Sequence, residues 1–386
     1  MERQICQHKE DCGGCLYQGT PYLDQVKIKE AEVLRLFQEK EIEIGRYHGI
    51  VQSPVEFGYR NKMEYTFGDE VKDGEMTLGM HKRGRFMSVF TTDHCQLVDP
   101  DFNLIQRAVL DFCVKMGYRQ YHRKSHGGFL RNLILRKGEL TGQLLVNLVT
   151  TTAIALDEKA FVSELLELPL RNTIVGILHT MNDNIADAVN CEEMKLLYGR
   201  DYYEESLMGL GFEVSAFSFF QTNILAIERL YEEALSFVED FSGKTVFDLY
   251  SGTGTIAQTA AQKAARAVGV EIVEEAVEAA QRNAALNGLD NCTFIAGDVL
   301  KVLDTIEEKP DVIILDPPRS GIHPKAFQKI MNYGVKEILY VSCNPKTMVE
   351  NLVNAKAFGY QVKDLKAYDN FPYTRHIETV ALLSME

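Results

Sequence analysis

VFDLYSGTGTIA, residues 246–257, is an apolar run that breaks into a glycine loop and resumes as a helix-like stretch. Residues 245–250 read as a buried strand, and Gly252 and Gly254 let the backbone approach a ligand closely. Taken alone, G-x-G-x-x-A is also compatible with a dinucleotide. Two acids separate the possibilities. Asp248, inside the strand end, suits a cationic, amine-bearing ligand and opposes a pyrophosphate. Glu271 closes the next strand, 267–271, where a carboxylate can accept hydrogen bonds from a ribose diol. Asp298, after the strand 292–296, can reach an adenine amine or cap a helix. Together they favour S-adenosylmethionine over a nicotinamide cofactor.

The same pattern continues outward from this loop. Strands at 312–315, 337–341, 361–368 and 378–385 alternate with helical stretches near 299–306, 324–333 and 346–357. This alternation predicts an α/β fold with a Rossmann-like, doubly wound parallel sheet. Ligands in such sheets bind beyond the carboxyl ends of the strands. The N-terminal half differs. It has a long polar-faced helix over Glu30–Glu41, then short alternating runs (62–67, 87–90, 144–149) with glycine-rich turns. These predict an α+β domain with an antiparallel sheet. The expected division is 1–215 and 216–386.

Composition is that of a globular protein, 46% apolar and 25% charged. No apolar run is long enough to span a bilayer, and no secretory leader is evident. A cytoplasmic protein with no membrane contact is expected. The net charge of −14 is uneven: residues 1–150 hold 21 Lys/Arg against 20 Asp/Glu, and the remainder hold 20 against 35. Between Asp111 and Glu139 there is no acid. Lys115, Arg119, Arg123, Lys124, Arg131, Arg136 and Lys137 lie there among aromatic residues, and His81-Lys82-Arg83 with Arg85 form a second group. Such interleaving suits RNA as well as a solvated loop. With eight cysteines in a cytosolic chain, metal binding, catalysis or burial is expected rather than a disulfide framework.

Two motifs close adjacent strands. ILDPPRSG (314–321) places Asp316 before a stiff Pro317-Pro318 turn and then Arg319. VSCNPKT (341–347) places Cys343 and Asn344 at the next strand end. A cysteine beside a methyl donor fits one chemistry well. Carbon 5 of uracil attacks a methyl sulfonium only after a thiolate has added at carbon 6, and a base must then remove the carbon-5 proton. Arg319 or the helix after Asn344 is expected to draw the thiol toward thiolate. Glu378, in DNFPYTRHIE (369–378), is the expected base, with His376 close by in sequence. Cys113, Cys191 and Cys292 are expected to be inert. Phe219 and Phe220 suit either core packing or filling a vacated base stack.

DPPRSG, YVSCNPKT and DNFPYTRHIE, in this order, resemble the signatures of the RNA uracil-5-methyltransferase family, which makes 5-methyluridine in tRNA and 23S rRNA. The resemblance is strong over residues 217–386. It implies Cys343 as nucleophile and Glu378 as general base, with Gln221, Tyr250, Glu271, Asp298 and Asp316 contacting S-adenosylmethionine. Cys6, Cys12 and Cys15, with a distant Cys95, resemble the iron–sulfur ligand set of the rRNA-directed branch. Four thiolates suit a [4Fe–4S] cluster and would also suit zinc. Some relatives carry a small β-barrel RNA-binding domain (TRAM) ahead of this cluster. Here the cluster begins at Cys6, so that domain is expected to be absent, with RNA contacts on the N-terminal domain. The resemblance implies 23S rRNA as substrate and a helix near 22–41 packed on the catalytic domain. A monomer with no obligate protein partner is expected. The alternatives are a tRNA-directed enzyme and a non-catalytic iron–sulfur RNA-binding factor.

Overall fold

The computed structural model describes residues 5–185 and 192–385. The chain divides into two compact units, and the division is interleaved. The first comprises residues 1–19, 57–206 and 213–217; the second comprises 20–56, 207–212 and 218–386. One cut near residue 215 is therefore too simple, because the helix Tyr22–Glu39 and the strand Ile44–Val51 fold with the C-terminal sequence.

The second unit is built on an eight-stranded sheet. From one edge its strands are Ile44–Val51, Tyr360–Tyr368, Glu378–Met385, Glu337–Ser342, Val312–Leu315, Thr245–Leu249, Arg266–Glu271 and Cys292–Ala296. Five neighbouring pairs are parallel, as the alternation predicts. Glu378–Met385 is the exception. It runs antiparallel to both of its neighbours, Glu337–Ser342 and Tyr360–Tyr368. The five-residue strand TVFDL is buried apart from its first residue, the signature of a central strand covered on both faces. On one face Phe247, Leu249, Ile313 and Leu315 pack with Val33, Leu36 and Phe37 of the first helix. On the other, Ala257, Ala261, Ala280 and Ala284 let two helices lie close to Ala267 and Phe294.

The first unit holds a seven-stranded sheet in the order Arg85–Thr91, Met76–Lys82, Lys62–Asp69, Leu130–Lys137, Gln143–Thr150, Thr173–Met181, Glu193–Gly199. It is antiparallel except where Gln143–Thr150 and Thr173–Met181 run parallel. The helix Glu158–Leu166 lies between those two strands in sequence, which is the crossover that parallel neighbours need. The helix Pro100–Lys115 buries Phe102, Ile105, Val109 and Phe112 against one face of the sheet. Cys113 is fully buried in that core, and Cys292 is buried in the alanine-rich layer of the second unit. Cys191 lies outside the described residues.

One interaction ties the first helix to the C-terminal sequence. Lys29 Nζ sits 2.5 Å from Asp369 Oδ1, and both side chains are fully buried. Lys29 also donates to the Phe371 carbonyl at 3.1 Å, and Gln25 Oε1 accepts from the Tyr373 N–H at 2.8 Å. Tyr373 has φ of +64°, a strained value for a tyrosine, held from the other end by its hydroxyl on Glu56. Removing one partner of a buried pair strands the other charge. Lys29→Met is expected to destabilise the protein by about 3–5 kcal/mol, with much of that recovered by adding Asp369→Leu. Urea titrations of the three variants check this; a loss within error of zero for Lys29→Met would refute it.

Candidate active site

The register of the C-terminal strands brings the two signature motifs together. Ser342 lies opposite Thr379 across an antiparallel pair, so Cys343 and Glu378 leave their strands at the same end of the sheet. They are close enough for the Glu378 charge to raise the Cys343 thiol. Glu378 is 7% exposed. Burial holds its carboxyl well above the usual range, Asp316 adds to the shift, and Arg319 opposes it. Cys343 is half-buried. Burial, then Glu378 and Asp316, push its thiol up to about 12, with Arg319 working against them.

This corrects the expectation of a thiol drawn toward thiolate. Arg319 favours the anion, but dehydration and two carboxyls outweigh one guanidinium. Asn344 caps the following helix through Oδ1, which accepts from the Lys346 N–H at 3.3 Å. Asn344 does more than cap. Its Nδ2 donates to the Arg319 carbonyl at 2.9 Å, fastening the CNP loop to the DPPRSG loop. Arg319 Nη2 lies 2.8 Å from His376 Nδ1, which links that loop to DNFPYTRHIE. Three motifs that are separate in sequence thus meet through two hydrogen bonds.

The glycine loop is built around the neighbouring acids. Asp248 is 1% exposed; its Oδ2 accepts from the Ala257 N–H at 3.0 Å, while Oδ1 is buried without a partner among the described residues. Burial, with Asp316 and Glu271 adding, raises Asp248 to about 8, and burial raises Asp316 to about 7. Tyr250 takes a φ of +75°, and Gly254 has φ of +77° with no room for a Cβ, which would meet the Phe294 ring at 2.5 Å. Glu271 accepts from the Gly252 and Val273 N–H groups at 3.0 and 2.9 Å, so it shapes the loop. Each of its oxygens keeps a lone pair for a ligand hydroxyl. Asp298 caps the short helix Val299–Val302 through Leu300 N–H at 2.7 Å. Its charge also reaches Tyr250.

Gln221 Nε2 donates to the Tyr231 hydroxyl at 3.2 Å. Tyr231 is buried and feels the charges of Asp316 and Asp248, which carries Gln221 to the same acidic end. Sequence reasoning passed over Tyr231 because its helical spacing with Ile227 and Leu230 reads as ordinary core. The two phenylalanines beside Gln221 part company. Phe220 is core, packed on Phe212 at 5.5 Å, whereas Phe219 is 67% exposed next to the glycine loop.

In the first unit, Cys6, Cys12, Cys15 and Cys95 are all half-buried and lie near one another. Burial raises Cys15 to about 12 and Cys95 to about 11, and the other thiols of the group raise both further. The Gly14 N–H donates to Cys12 Sγ at 3.4 Å. Among the described residues no group of three or more His, Cys, Asp or Glu stands at the spacing of a metal site. The basic stretch divides. Arg131, Arg136 and Lys137 are structural. The first two donate to the carbonyls of Asn182 and Ala216, and the third pairs with Asp99 and Glu139. Lys115, Arg119 and Lys124 remain exposed.

Among the described residues no helix is long and apolar enough to cross a membrane. Comparison with known proteins gives a consistent result. A profile of the tRNA (uracil-5-)-methyltransferase family matches residues 179–386. An uncharacterized RNA methyltransferase of Clostridium acetobutylicum is 49% identical over 96% of this chain and 82% of its own length. Another, of Caldanaerobacter subterraneus, is 48% identical over 98% of this chain and 84% of its own. Among solved structures, the Pyrococcus abyssi tRNA (uracil-54, C5)-methyltransferase in complex with S-adenosyl-L-homocysteine superposes with a TM-score of 0.77. It is 27% identical over 94% of this chain and 83% of that one.

The acids give a prediction whose sign is fixed. Asp248 and Asp316 hold protons that the unfolded chain releases near 3.8. Each therefore contributes stability at acid pH that is lost as pH rises through about 7 for Asp316 and about 8 for Asp248. Asp248→Asn removes one such group. Its melting temperature is expected to fall less steeply than wild type between about pH 5 and pH 9. Parallel curves from scanning calorimetry would show that Asp248 does not carry the shift.

Proposed function

The chain belongs to the S-adenosylmethionine-dependent RNA uracil-5-methyltransferase family, and we propose that it methylates carbon 5 of a uridine in 23S rRNA through a covalent cysteine–uracil adduct. The observation that carries this reading is the convergence of Cys343, Glu378, Asp316 and Arg319 at one sheet end. A protein that only bound RNA would need neither a dehydrated thiol nor a dehydrated carboxyl there.

The residues fit S-adenosylmethionine. The buried, unpartnered Asp248 Oδ1 suits a cationic ligand, and Glu271 keeps acceptor capacity for a ribose. Gln221, Tyr250, Glu271, Asp298 and Asp316 would hold it. When bound, it supplies an electrophilic methyl group. With the cationic ligand bound, Glu378 and Asp316 give up their protons to solvent; Cys343 then passes its proton to Asp316 as Sγ adds to carbon 6 of uracil. The resulting enolate concentrates electron density on carbon 5, which takes the methyl group. Glu378, ionised at this stage, removes the carbon-5 proton, the double bond re-forms and Sγ leaves. Arg319 steadies the thiolate and is itself positioned by Asn344 and His376. The uridine must be unstacked before it can enter.

Substrate choice rests on the cysteines. Cys6, Cys12, Cys15 and Cys95 would hold a [4Fe–4S] cluster, the ligand set that resembles the rRNA-directed branch; four thiols are the right donors, near enough to raise one another, and would draw together on binding it. The N-terminal unit then serves cluster binding and RNA recognition. A tRNA substrate is the second reading, favoured by likeness to the Pyrococcus abyssi enzyme.

Methyl-labelled S-adenosylmethionine incubated with unmodified 23S rRNA and, separately, unmodified tRNA tests the assignment. Label is expected in 5-methyluridine from 23S rRNA and absent with Cys343→Ala. Label from tRNA alone would replace the substrate and keep the chemistry. Glu378→Gln should methylate without release, so a protein–RNA adduct stable to denaturant is expected on a gel. Free RNA carrying a full complement of 5-methyluridine would remove Glu378 from the role of base. Anaerobically purified protein is expected to be brown, to contain iron and sulfide, and to lose them when Cys12 and Cys15 are replaced; bound zinc would refute the cluster.

A further inference from the structure

The strands Met76–Lys82 and Arg85–Thr91 meet in a tight turn whose tip carries a large apolar residue in water. Phe86 is 65% exposed and Met87 47%. Phe86 is nevertheless held in place. The His81 ring stacks on it at 5.0 Å and 13°, and the Arg123 guanidinium stands 4.9 Å from its centroid. Arg123 Nη2 in turn reaches His81 Nε2 at 3.2 Å, so the hairpin and the 119–128 loop brace one another. An aromatic ring supported in this way has little rotamer freedom left to lose on binding.

The charge at the turn is mainly positive. Lys82 pairs with Asp11 and Glu70, two carboxylates to one ammonium, and adds no positive charge outward. Arg83, Arg85 and Lys124 are exposed and have no acidic partner among the described residues. In a chain of net charge −14 this is a local reversal. An exposed phenylalanine alone would suit an apolar protein partner. With the Arg123 guanidinium against it and Arg83, Arg85 and Lys124 exposed on the same two segments, it suits a ligand both flat and polyanionic, and single-stranded nucleic acid combines the two.

We propose that the Phe86 platform binds a single-stranded segment of the RNA substrate. One base stacks on Phe86, and the adjoining phosphates are held by Arg83, Arg85 and Lys124. Only the identity of the ligand rests on the methyltransferase reading; the platform is a separate surface on the first unit.

Binding of a fluorescein-labelled oligouridylate, followed by anisotropy over a range of salt, tests this. Phe86→Ala is expected to weaken binding about tenfold or more, and Phe86→Tyr, which keeps the π-face, to restore it. Arg85→Ala is expected to lower the slope of log K against log salt by about one. S-adenosylmethionine binding, measured by calorimetry, should be unchanged in all three and reports that they are folded. Wild-type affinity and salt slope in both Phe86→Ala and Arg85→Ala would overturn the proposal, as would failure of the wild type to bind. Oligouridylate binding that responds to these changes, without 5-methyluridine from either RNA, would uphold the platform while the proposed reaction failed. Formation of 5-methyluridine with unaltered binding by the variants would do the reverse.

Discussion

The antiparallel pairing of Glu337–Ser342 with Glu378–Met385 is the constraint from which the site follows. The strands 245–249, 312–315 and 337–342 pair in parallel, and parallel strands alone would line up their ends without Glu378. Inserting one reversed strand puts the start of Glu378–Met385 where its neighbour finishes. A slip of one residue would turn Glu378 to the opposite face. The register is held by a continuous ladder and by the Thr379 hydroxyl, which donates to the Ser342 carbonyl at 3.2 Å.

Gathering acids at this end has an electrostatic cost, and the chain meets it unequally. Glu271 is satisfied by two backbone N–H groups. Asp248 has one such bond and an orphan oxygen, and Asp316 is raised by burial. Within this cluster, Arg319 is the cation that lowers both Cys343 and Glu378. The result is a set of groups whose protonation is poised to change when a positive charge arrives. Such a region is unfavourable for the chain by itself and favourable for a cationic partner.

Much of this was legible in the residues. The alternation after residue 245 predicted the layered sheet, and DPPRSG, VSCNPKT and DNFPYTRHIE lay where strand ends were expected. What the residues hid was of two kinds. Strand direction leaves no mark on composition, so nothing in ETVALLSM distinguished an antiparallel insertion from one more parallel strand. Burial of cations was equally invisible: Arg131, Arg136 and Lys137 read as a basic stretch although Asn182, Ala216 and Asp99, which they bond, lie far away in sequence. Lys29 carried a faint signal. It stands with Gln25 on the i, i+4 row that continues to Val33 and Phe37, a polar pair on an apolar stripe. The residues read as a polar-faced helix, and Asp369 could be named only from the folded structure.

That pairing has a consequence for how the protein is made. Lys29 and Asp369 are 340 positions apart, and the strand Ile44–Val51 likewise awaits Tyr360–Tyr368. The helix therefore leaves the ribosome with a lysine whose counter-ion is synthesised 340 residues later. Until then its apolar stripe and the open edge of Ile44–Val51 have no native cover. The first unit, largely contained in 57–206, can collapse during that wait, while the second can close only once Tyr360–Tyr368 and Glu378–Met385 have emerged. Building one sheet from segments so far apart leaves apolar surface of the nascent chain uncovered for the whole interval between their synthesis.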